Sequence, residues 1–212
     1  MRFPMRICEI FKSIQGEGLT MGVPTVFVRT VGCNLDCSWC DTKYSFAGGT
    51  EMSISEIMDK VGTCRTVCVT GGEPMLQKDI YELFDALLKA GKKIVLETNG
   101  AVDLKDVPKD PLMMISMDIK CPSSGMSDRM LDSNIPILSM KDQLKFVIKD
   151  QTDLDYADRY LKEHDVRTNV IFGPVGGTDK LEWLVSEVLA RDIDARILPQ
   201  LHKIIWGDKK SV

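Results

Sequence analysis

Runs of apolar, β-forming residues alternate with amphipathic segments along most of this 212-residue chain, and this alternation constrains its fold more than any other feature. The runs have the composition and length of buried strands. They are Met5 to Phe11, Thr25 to Thr30, Thr66 to Thr70, Lys93 to Thr98, Met113 to Ile119, Gln143 to Ile148, Thr168 to Phe172 and Ala195 to Leu198. Because neighbouring parallel strands need a long crossover, usually a helix, the alternation predicts a parallel α/β sheet.

Helices are predicted between the strands. Apolar residues recur with the i, i+3, i+4, i+7 spacing of a buried helical stripe from Ile80 to Leu88 and again from Leu181 to Leu189. Ser53 and Glu56 match a capping box, which would open a shorter helix. A further, less regular helix is predicted from Asp153 to Glu163.

The length limits how many strand–helix units the chain can hold. A complete eight-stranded α/β barrel usually takes about 250 residues, whereas this chain has 212. We therefore expect a single α/β domain over residues 1–212, built as a partial, truncated parallel α/β barrel. The polar, turn-rich segment from Cys121 to Pro136 is predicted to be a loop, and its length suggests a functional role.

Charge and hydropathy weigh against several classes of partner. Lys and Arg number 27 against 31 Asp and Glu, a net charge of −4, and no basic run offers the clustered charge that binds nucleic acid. No segment has the roughly 18 to 20 apolar residues of a membrane span, and Met1 to Phe11 lacks an apolar signal core. The seven cysteines are an odd number, which suits a reducing compartment better than a disulfide framework. We expect a cytoplasmic protein that binds neither nucleic acid nor membranes.

The most specific motif is the group Cys33, Cys37 and Cys40, which directly follows a predicted strand with the spacing C-x3-C-x2-C. An iron–sulfur cluster held by three thiolates leaves one iron open for an exogenous ligand, whereas electron carriers normally use four cysteines. The spacing therefore favours a 4Fe-4S cluster with chemistry at an open iron. A zinc site remains an alternative, but it needs four ligands, and the fourth would have to be a distant cysteine: Cys64, Cys68 or Cys121.

This triad resembles that of the radical S-adenosylmethionine (SAM) superfamily. A second segment, Thr70-Gly71-Gly72-Glu73-Pro74, follows a predicted strand and resembles the methionine-binding segment of the same superfamily. Two glycines let a ligand approach the backbone closely, and a glutamate can accept from an ammonium group. The resemblance implies the radical SAM type of partial barrel, with a 4Fe-4S cluster and SAM as cofactors.

Further segments resemble the 7-carboxy-7-deazaguanine synthases within this superfamily, and that resemblance runs nearly end to end. They are Gln15 to Gly18 with Arg29, Ser116 to Lys120, and Leu198 to Lys203. The resemblance implies a lyase of the queuosine and archaeosine pathways that cleaves SAM to methionine and a 5′-deoxyadenosyl radical. The radical would remove hydrogen from C6 of 6-carboxy-5,6,7,8-tetrahydropterin. The ring would then contract with loss of ammonia to give 7-carboxy-7-deazaguanine.

The same resemblance implies the residues of the site. The implied substrate contacts are Ile14, Gln15, Gly16, Glu17, Arg29, Thr70 and His202. The implied SAM contacts are Ser38, Trp39, Asp41, Gly72, Glu73, Ser116 and Asp118. Cys33, Cys37 and Cys40 would bind the cluster, and Thr42 would bind Mg²⁺.

Residue chemistry supports part of this assignment. A pterin offers an edge of donors and acceptors together with a carboxylate, and an amide, a carboxylate and a cation, as in Gln15, Glu17 and Arg29, complement it. The planar guanidinium of arginine can bind both oxygens of a carboxylate. Ser116 and Asp118 end a predicted strand and face the same side because side chains alternate with a period of two.

Other interpretations stay open for single residues. Trp39 could simply pack beside the cluster, His202 could make a structural hydrogen bond, and Thr42 could cap a turn. The sequence assigns no role to Gln143, Lys145, Cys121 or the chain end from Trp206 to Val212.

Two other functions share some of these features. An activase that makes a glycyl radical on another protein has a similar triad and Gly-Gly-Glu-Pro segment, but it explains neither Gln15 to Gly18 with Arg29 nor the segment from Pro199 to Lys203. A non-catalytic binding protein could use a metal only to hold its fold. From the family resemblance we also expect a homodimer and an external electron donor of the flavodoxin or ferredoxin type.

Overall fold

The structure of the chain, a computed structural model, describes residues 4–212. Within this range a single sheet contains nine strands. They are β1 (Met5–Ile14), β2 (Pro24–Thr30), β3 (Thr50–Met52), β4 (Thr66–Gly71), β5 (Lys93–Thr98), β6 (Met113–Ile119), β7 (Gln143–Ile148), β8 (Asn169–Pro174) and β9 (Arg196–Ile197). The α-helices are α1 (Ile54–Val61), α2 (Ile80–Lys89), α3 (Gln151–Glu163), α4 (Leu181–Ala190) and α5 (Leu201–Trp206).

The strand order in the sheet is β3-β1-β2-β4-β5-β6-β7-β8-β9. β2 and the strands from β4 to β9 are parallel, whereas β1 is antiparallel to both β2 and β3. Because β3 and β9 form the two ends of this order, the sheet is open and not a closed barrel. The predicted partial α/β barrel is confirmed. The antiparallel direction of β1 and the short strand β3 are additions to the prediction.

One face of the sheet packs against the helices and forms the hydrophobic core. Alternate strand residues such as Val28, Val69 and Phe146 lie in this core together with Phe84 of α2 and Leu154 of α3. Full burial of a large apolar side chain is worth about 1.5–3 kcal/mol, so these contacts fix the position of the sheet against its helices.

The opposite face carries a row of polar residues across adjacent strands. Successive residues of a strand point to opposite faces, so the residues between the core positions lie on this side. In register, Arg29 of β2 pairs with Thr70 of β4, and Asp118 of β6 pairs with Lys145 of β7. The fold thus places charged and hydroxyl groups on the sheet face that the helices leave uncovered.

Several local predictions are confirmed. Strands β5, β6 and β7 begin and end at the predicted residues. Helix α1 begins with the predicted capping box, because the side chain of Ser53 accepts from the Glu56 backbone and the Glu56 carboxylate accepts from Ser53 N. The segment predicted as a loop contains short 3-10 turns at Pro122–Ser124, Ser127–Arg129 and Asp132–Ile137.

Among the helices that the structure describes, none is long and apolar enough to cross a membrane.

Candidate active site

A cavity of about 510 Å³ opens on the polar face of the sheet. Residues near the carboxyl ends of β4, β5 and β6 line it, among them Thr70, Thr98 and Asp118. Parallel α/β proteins bind ligands at this end of their strands. The loop after β2 and the chain from residue 200 onward complete the wall, so the cavity brings distant parts of the sequence together.

The three predicted cluster ligands, Cys33, Cys37 and Cys40, line one part of this cavity as free thiols. Burial raises the pKa of Cys33 and of Cys37. Cys33 Sγ accepts hydrogen bonds from Leu35 N at 3.4 Å and from Asn99 Nδ2 at 3.7 Å. Such hydrogen bonds to sulfur are a normal feature of iron–sulfur sites.

The arrangement of these thiols fits a cluster. In residues 4–212, no three His, Cys, Asp or Glu side chains are placed to hold one metal ion. A mononuclear site needs ligands that converge on a single point, whereas a cubane offers a separate iron to each thiolate. Cys33, Cys37 and Cys40 are free thiols that line one cavity, so each can supply a ligand to a separate iron.

The turn at residues 122–124 braces the cysteine loop. Ser38 Oγ donates to Ser123 O at 2.7 Å, and Trp39 Nε1 donates to Ser123 Oγ at 3.1 Å. Trp39 lines the cavity, and Lys120 Nζ lies 5.7 Å from its ring centroid. The side chain of Ser38 makes a structural contact and is not among the residues that line the cavity, so its contact with SAM stays a prediction.

The Gly-Gly-Glu segment, Gly71 to Glu73 at the end of β4, packs closely against the start of the cysteine loop. Gly71 and Gly72 line the cavity. A Cβ on Gly72 would lie 2.2 Å from Gly32 O, so a larger residue would force the two backbone segments apart. Glycine is required here by the close approach of two chains.

The carboxylate of Glu73 does not face the cavity. It is fully buried and accepts from Asn99 N at 2.7 Å, Thr98 Oγ1 at 2.9 Å and Met75 N at 3.0 Å. Burial raises the pKa of Glu73 to about 7 against the effect of these donors. Glu73 therefore joins β4 to β5 beneath the cavity and is not among its lining residues, and its contact with SAM stays a prediction.

Asp118 and Ser116 share one face of β6, as predicted, but they lie at different depths. Asp118 lines the cavity. Ser116 lies below it, fully buried, donating to Glu97 Oε2 at 3.0 Å and accepting from Gln143 Nε2 at 2.7 Å. The Ser116 hydroxyl therefore supports the cavity wall through Glu97 and Gln143, and the contact of Ser116 with SAM stays a prediction.

Charged side chains form a polar wall of the cavity: Glu17, Glu97, Asp118, Lys120 and Lys145. Lys145, to which the sequence assigned no role, lies at the centre of this group. Its Nζ lies 2.6 Å from Glu17 Oε2, 3.2 Å from Asp118 Oδ1 and 3.5 Å from Glu97 Oε2. Burial would lower the pKa of Lys145, but the three carboxylates raise it well above its usual value. Lys120 adds a second cation, 2.6 Å from Asp118 Oδ2. Sequence reasoning missed Glu97, Lys120 and Lys145 as a group, although the alternation of Gln143 and Lys145 on one strand face was a visible signal.

The predicted substrate residues line the same cavity as the cysteines. Gln15 Oε1 accepts from Gly16 N at 2.8 Å, which fixes the turn after β1. Glu17 accepts from Lys145 Nζ and from Gln200 Nε2, each at 2.6 Å. His202 packs directly on Gly16, where a Cβ would lie 2.0 Å from His202 Nδ1.

The remaining predicted residues are Ile14, Thr70, Arg29, Asp41 and Thr42, and all line the cavity. Arg29 Nε pairs with Glu9 Oε1 at 2.7 Å. Thr42 Oγ1 donates to Asp41 Oδ1 at 2.8 Å, so a hydroxyl and a carboxylate stand together at the rim.

The chain end also belongs to the site, although its sequence shows no ligand pattern. Residues 207–212 line the cavity. Ser211 Oγ donates to Glu9 Oε2 at 2.6 Å, and Lys210 Nζ lies 4.3 Å from the ring centroid of Tyr44.

Known proteins share both the sequence and the fold. A family model described as the Radical SAM superfamily matches residues 27–123. A 7-carboxy-7-deazaguanine synthase from Methanospirillum hungatei is 46% identical over 207 residues, covering 95% of this chain and 85% of that protein. A protein of the same name from Thermoplasma acidophilum is 40% identical, over 98% of this chain and 100% of that one. The chain belongs to this family.

A solved structure agrees with this membership. The crystal structure of QueE from Escherichia coli superposes with a TM-score of 0.73 at 25% identity, over 92% of each chain. As a member of the 7-carboxy-7-deazaguanine synthase family, the chain is a radical SAM enzyme whose cofactors are a 4Fe-4S cluster and SAM. Membership decides against the activase, the zinc site and the non-catalytic binding protein.

Proposed function

We propose that the chain converts 6-carboxy-5,6,7,8-tetrahydropterin to 7-carboxy-7-deazaguanine, in the biosynthesis of 7-deazapurines. One observation carries this proposal: a single cavity is lined both by the three free thiols and by Gln15, Glu17 and Arg29. A pterin bound by the polar side chains would lie against the cofactor side of the same cavity. The proposal also balances, because the product and ammonia together contain the atoms of the substrate and no net oxidant is needed.

The polar wall would recognise the pterin. Gln15, Glu17 and His202 line the cavity, and contacts to Lys145 and Gln200 fix Glu17 there. Both oxygens of Glu17 already accept one hydrogen bond each, and each carboxylate oxygen has capacity for a second. The ring N–H groups of a pterin can therefore be bound without breaking the existing contacts.

Arg29 would bind the substrate carboxylate. Its guanidinium lines the cavity, and its side chain is only 15% exposed. A cation with little access to water gains strongly from a charge-assisted bond to a carboxylate. This side chain therefore favours a carboxylated pterin over a neutral one.

Cys33, Cys37 and Cys40 would hold the cluster, and Trp39, Asp41, Gly72 and Asp118 would border SAM. When bound, these cofactors supply one electron and a 5′-deoxyadenosyl radical able to abstract the hydrogen at C6. The cavity wall would orient the pterin so that C6 faces the cysteine side. Thr42 would bind Mg²⁺ beside the substrate carboxylate, because Mg²⁺ prefers oxygen ligands and keeps several waters.

The test is anaerobic incubation of the reconstituted protein with SAM, dithionite, Mg²⁺ and the carboxylated tetrahydropterin, followed by mass spectrometry. We expect 7-carboxy-7-deazaguanine and ammonia, with SAM cleavage that depends on the cluster. Cleavage of SAM with the pterin returned unchanged would contradict the proposal.

We also propose, from the family resemblance, a cytoplasmic homodimer that receives its electron from a flavodoxin or ferredoxin, and a single domain over residues 1–212. Sedimentation analysis of the holoenzyme tests the dimer. Replacement of dithionite by a reduced flavodoxin or ferredoxin tests the electron donor.

A further inference from the structure

Glu9 occupies a position that a regular strand would not give it. In the pairing of β1 with β2, Ile7 lies opposite Thr30 and Glu9 lies opposite Arg29, so one step of β2 is matched by two steps of β1. This irregularity is a β-bulge around Cys8. In an unbroken strand Glu9 would share a face with Ile7, which is buried in the core. Bulges re-aim side chains in this way, often beside active sites.

The residues after the bulge show the reversed alternation. Phe11 and Phe27 stack with their ring centroids 5.0 Å apart, and both line the cavity. Ile10, between Glu9 and Phe11, packs against the core. The bulge therefore moves Glu9 from the core face to the face that carries Arg29.

Both oxygens of Glu9 are engaged there. Oε1 accepts from Arg29 Nε at 2.7 Å and from Tyr44 Oη at 2.9 Å, and Oε2 accepts from Ser211 Oγ at 2.6 Å. Burial would raise the pKa of Glu9, but these bonds and the Arg29 charge lower it. An ionised carboxylate thus joins β2, the turn at Tyr44 and the chain end.

The contact leaves one edge of the Arg29 guanidinium unused. A guanidinium has one donor on Nε and two on each Nη. Among residues 4–212, the hydrogen bonds of this side chain involve Nε alone, and its acceptor is Glu9. A carboxylate can bind a guanidinium across the Nε–Nη edge or across the Nη1–Nη2 edge, and Glu9 holds the Nε side. Arg29 lines the cavity in front of Glu9.

We propose that Glu9 is a positioning residue, which holds the Nε side of Arg29 so that the Nη1–Nη2 edge is presented to the substrate carboxylate. This inference rests on the proposed function, in which Arg29 binds that carboxylate. Its consequence is selectivity, because a pterin without a carboxylate gains nothing from the orientation of Arg29. Glu9 should therefore affect the preference for the carboxylated pterin and leave the affinity for the bare ring unchanged.

The experiment compares two ligands on the holoenzyme. Anaerobic calorimetric titrations, with SAM and without reductant, measure binding of 6-carboxy-5,6,7,8-tetrahydropterin and of 5,6,7,8-tetrahydropterin. Glu9→Asp keeps the charge but is one methylene shorter, so we expect the preference for the carboxylated ligand to fall about tenfold. Glu9→Gln keeps an acceptor at the same reach and should stay within about threefold of wild type. Glu51→Gln, an exposed carboxylate on β3, is the matched control.

A double-mutant comparison separates positioning from a general structural effect. In an Arg29→Ala background, Glu9→Asp should change neither affinity further. The inference is overturned if Glu9→Asp retains the wild-type preference, or if it weakens both ligands equally. A wild-type enzyme that binds the two pterins equally would contradict the proposed function itself, and this inference with it, whereas a failure confined to the variants would overturn only the role of Glu9.

Discussion

Lys145 Nζ lies 2.6 Å from Glu17 Oε2, which joins two residues 128 positions apart in the chain. The same ammonium group also lies close to the carboxylates of Glu97 on β5 and Asp118 on β6. One cation therefore holds three carboxylates in a wall from which most water is excluded. Asp118 would keep Lys120 as a partner, but removing Lys145 would leave the largely buried carboxylates of Glu17 and Glu97 without a cation, and such a loss is costly.

Lys145→Ala should consequently destabilise the whole fold. We expect the free energy of unfolding, measured in urea near neutral pH, to fall by about 3 kcal/mol. Lys89→Ala is the matched control, since the Lys89–Asp85 pair is exposed by 75% and 60%. Exposed pairs of this kind contribute about 0–1 kcal/mol. Equal losses in the two variants would show that the Lys145 network does not stabilise the protein.

The Glu17 carboxylate should make stability depend on pH. Burial would raise its pKa, but the Lys145 charge and the hydrogen bonds from Lys145 and Gln200 lower it to about 2 in the folded protein. The unfolded value is about 4.3. A carboxylate whose pKa is lower in the folded protein than in the unfolded chain stabilises the fold fully at pH values above its unfolded pKa. This contribution is lost as the pH falls toward the folded pKa.

We therefore expect wild type to lose about 1–3 kcal/mol more stability than Glu17→Gln between about pH 5 and pH 2.5. Urea unfolding at several pH values provides the measurement, with Glu51→Gln as the exposed control. If the free energy of unfolding changed with pH in the same way in wild type and Glu17→Gln, that result would contradict a lowered pKa of Glu17.

Cys37→Ala tests the metal centre. Loss of one of three thiolates should remove the iron, the acid-labile sulfide and reductive SAM cleavage together, because an iron–sulfur cluster depends on its cysteine ligands. Cys64→Ala is the control, since Cys64 lies outside the main cavity and its Sγ contacts Thr66 O at 3.4 Å. Full iron, sulfide and activity in the Cys37 variant would show that the triad does not bind the cluster.

Motifs predicted which segments meet at the site better than they predicted where each side chain points. The cysteine triad, Gln15 to Glu17, Arg29 and Thr42 all line one cavity. Glu73 lies in the predicted segment, but its carboxylate caps the short turn at Pro74–Leu76, accepting from Met75 N. Such a local hydrogen bond competes with a ligand for the same oxygen, and the motif alone does not decide between them.

Contacts between distant residues account for most of what the sequence could not predict. The alternation of Gln143 and Lys145 was visible, but the carboxylates around Lys145 come from other strands and loops. Ser211 lies 202 positions from Glu9, its hydrogen-bond partner. The bulge at Cys8 shifts the register by one residue without any glycine or proline to mark it, so the face of Glu9 could not be read from the alternation.

Thr42 provides the last prediction, which concerns magnesium. Its hydroxyl lines the cavity and donates to Asp41 Oδ1 at 2.8 Å, so two protein oxygens stand together where the substrate carboxylate is expected. A neutral hydroxyl cannot retain Mg²⁺ unaided, and this ion is usually bound through few protein groups together with the substrate. Magnesium should therefore bind tightly only with the pterin present, where its charge would orient the carboxylate and stabilise charge that develops during ring contraction.

Added Mg²⁺ should accordingly raise product formation severalfold in the wild-type enzyme, and Thr42→Ala should blunt this response. Reductive SAM cleavage without pterin should change little in either protein, because the ion enters with the substrate. Thr63→Ala, an exposed threonine after α1, should respond to Mg²⁺ as wild type does. Product formation by mass spectrometry across a magnesium titration, starting from chelated buffer, is the measurement. Full wild-type turnover in chelated buffer, or an undiminished magnesium response in Thr42→Ala, would count against a metal at this position, since the hydroxyl and the ion would then act independently.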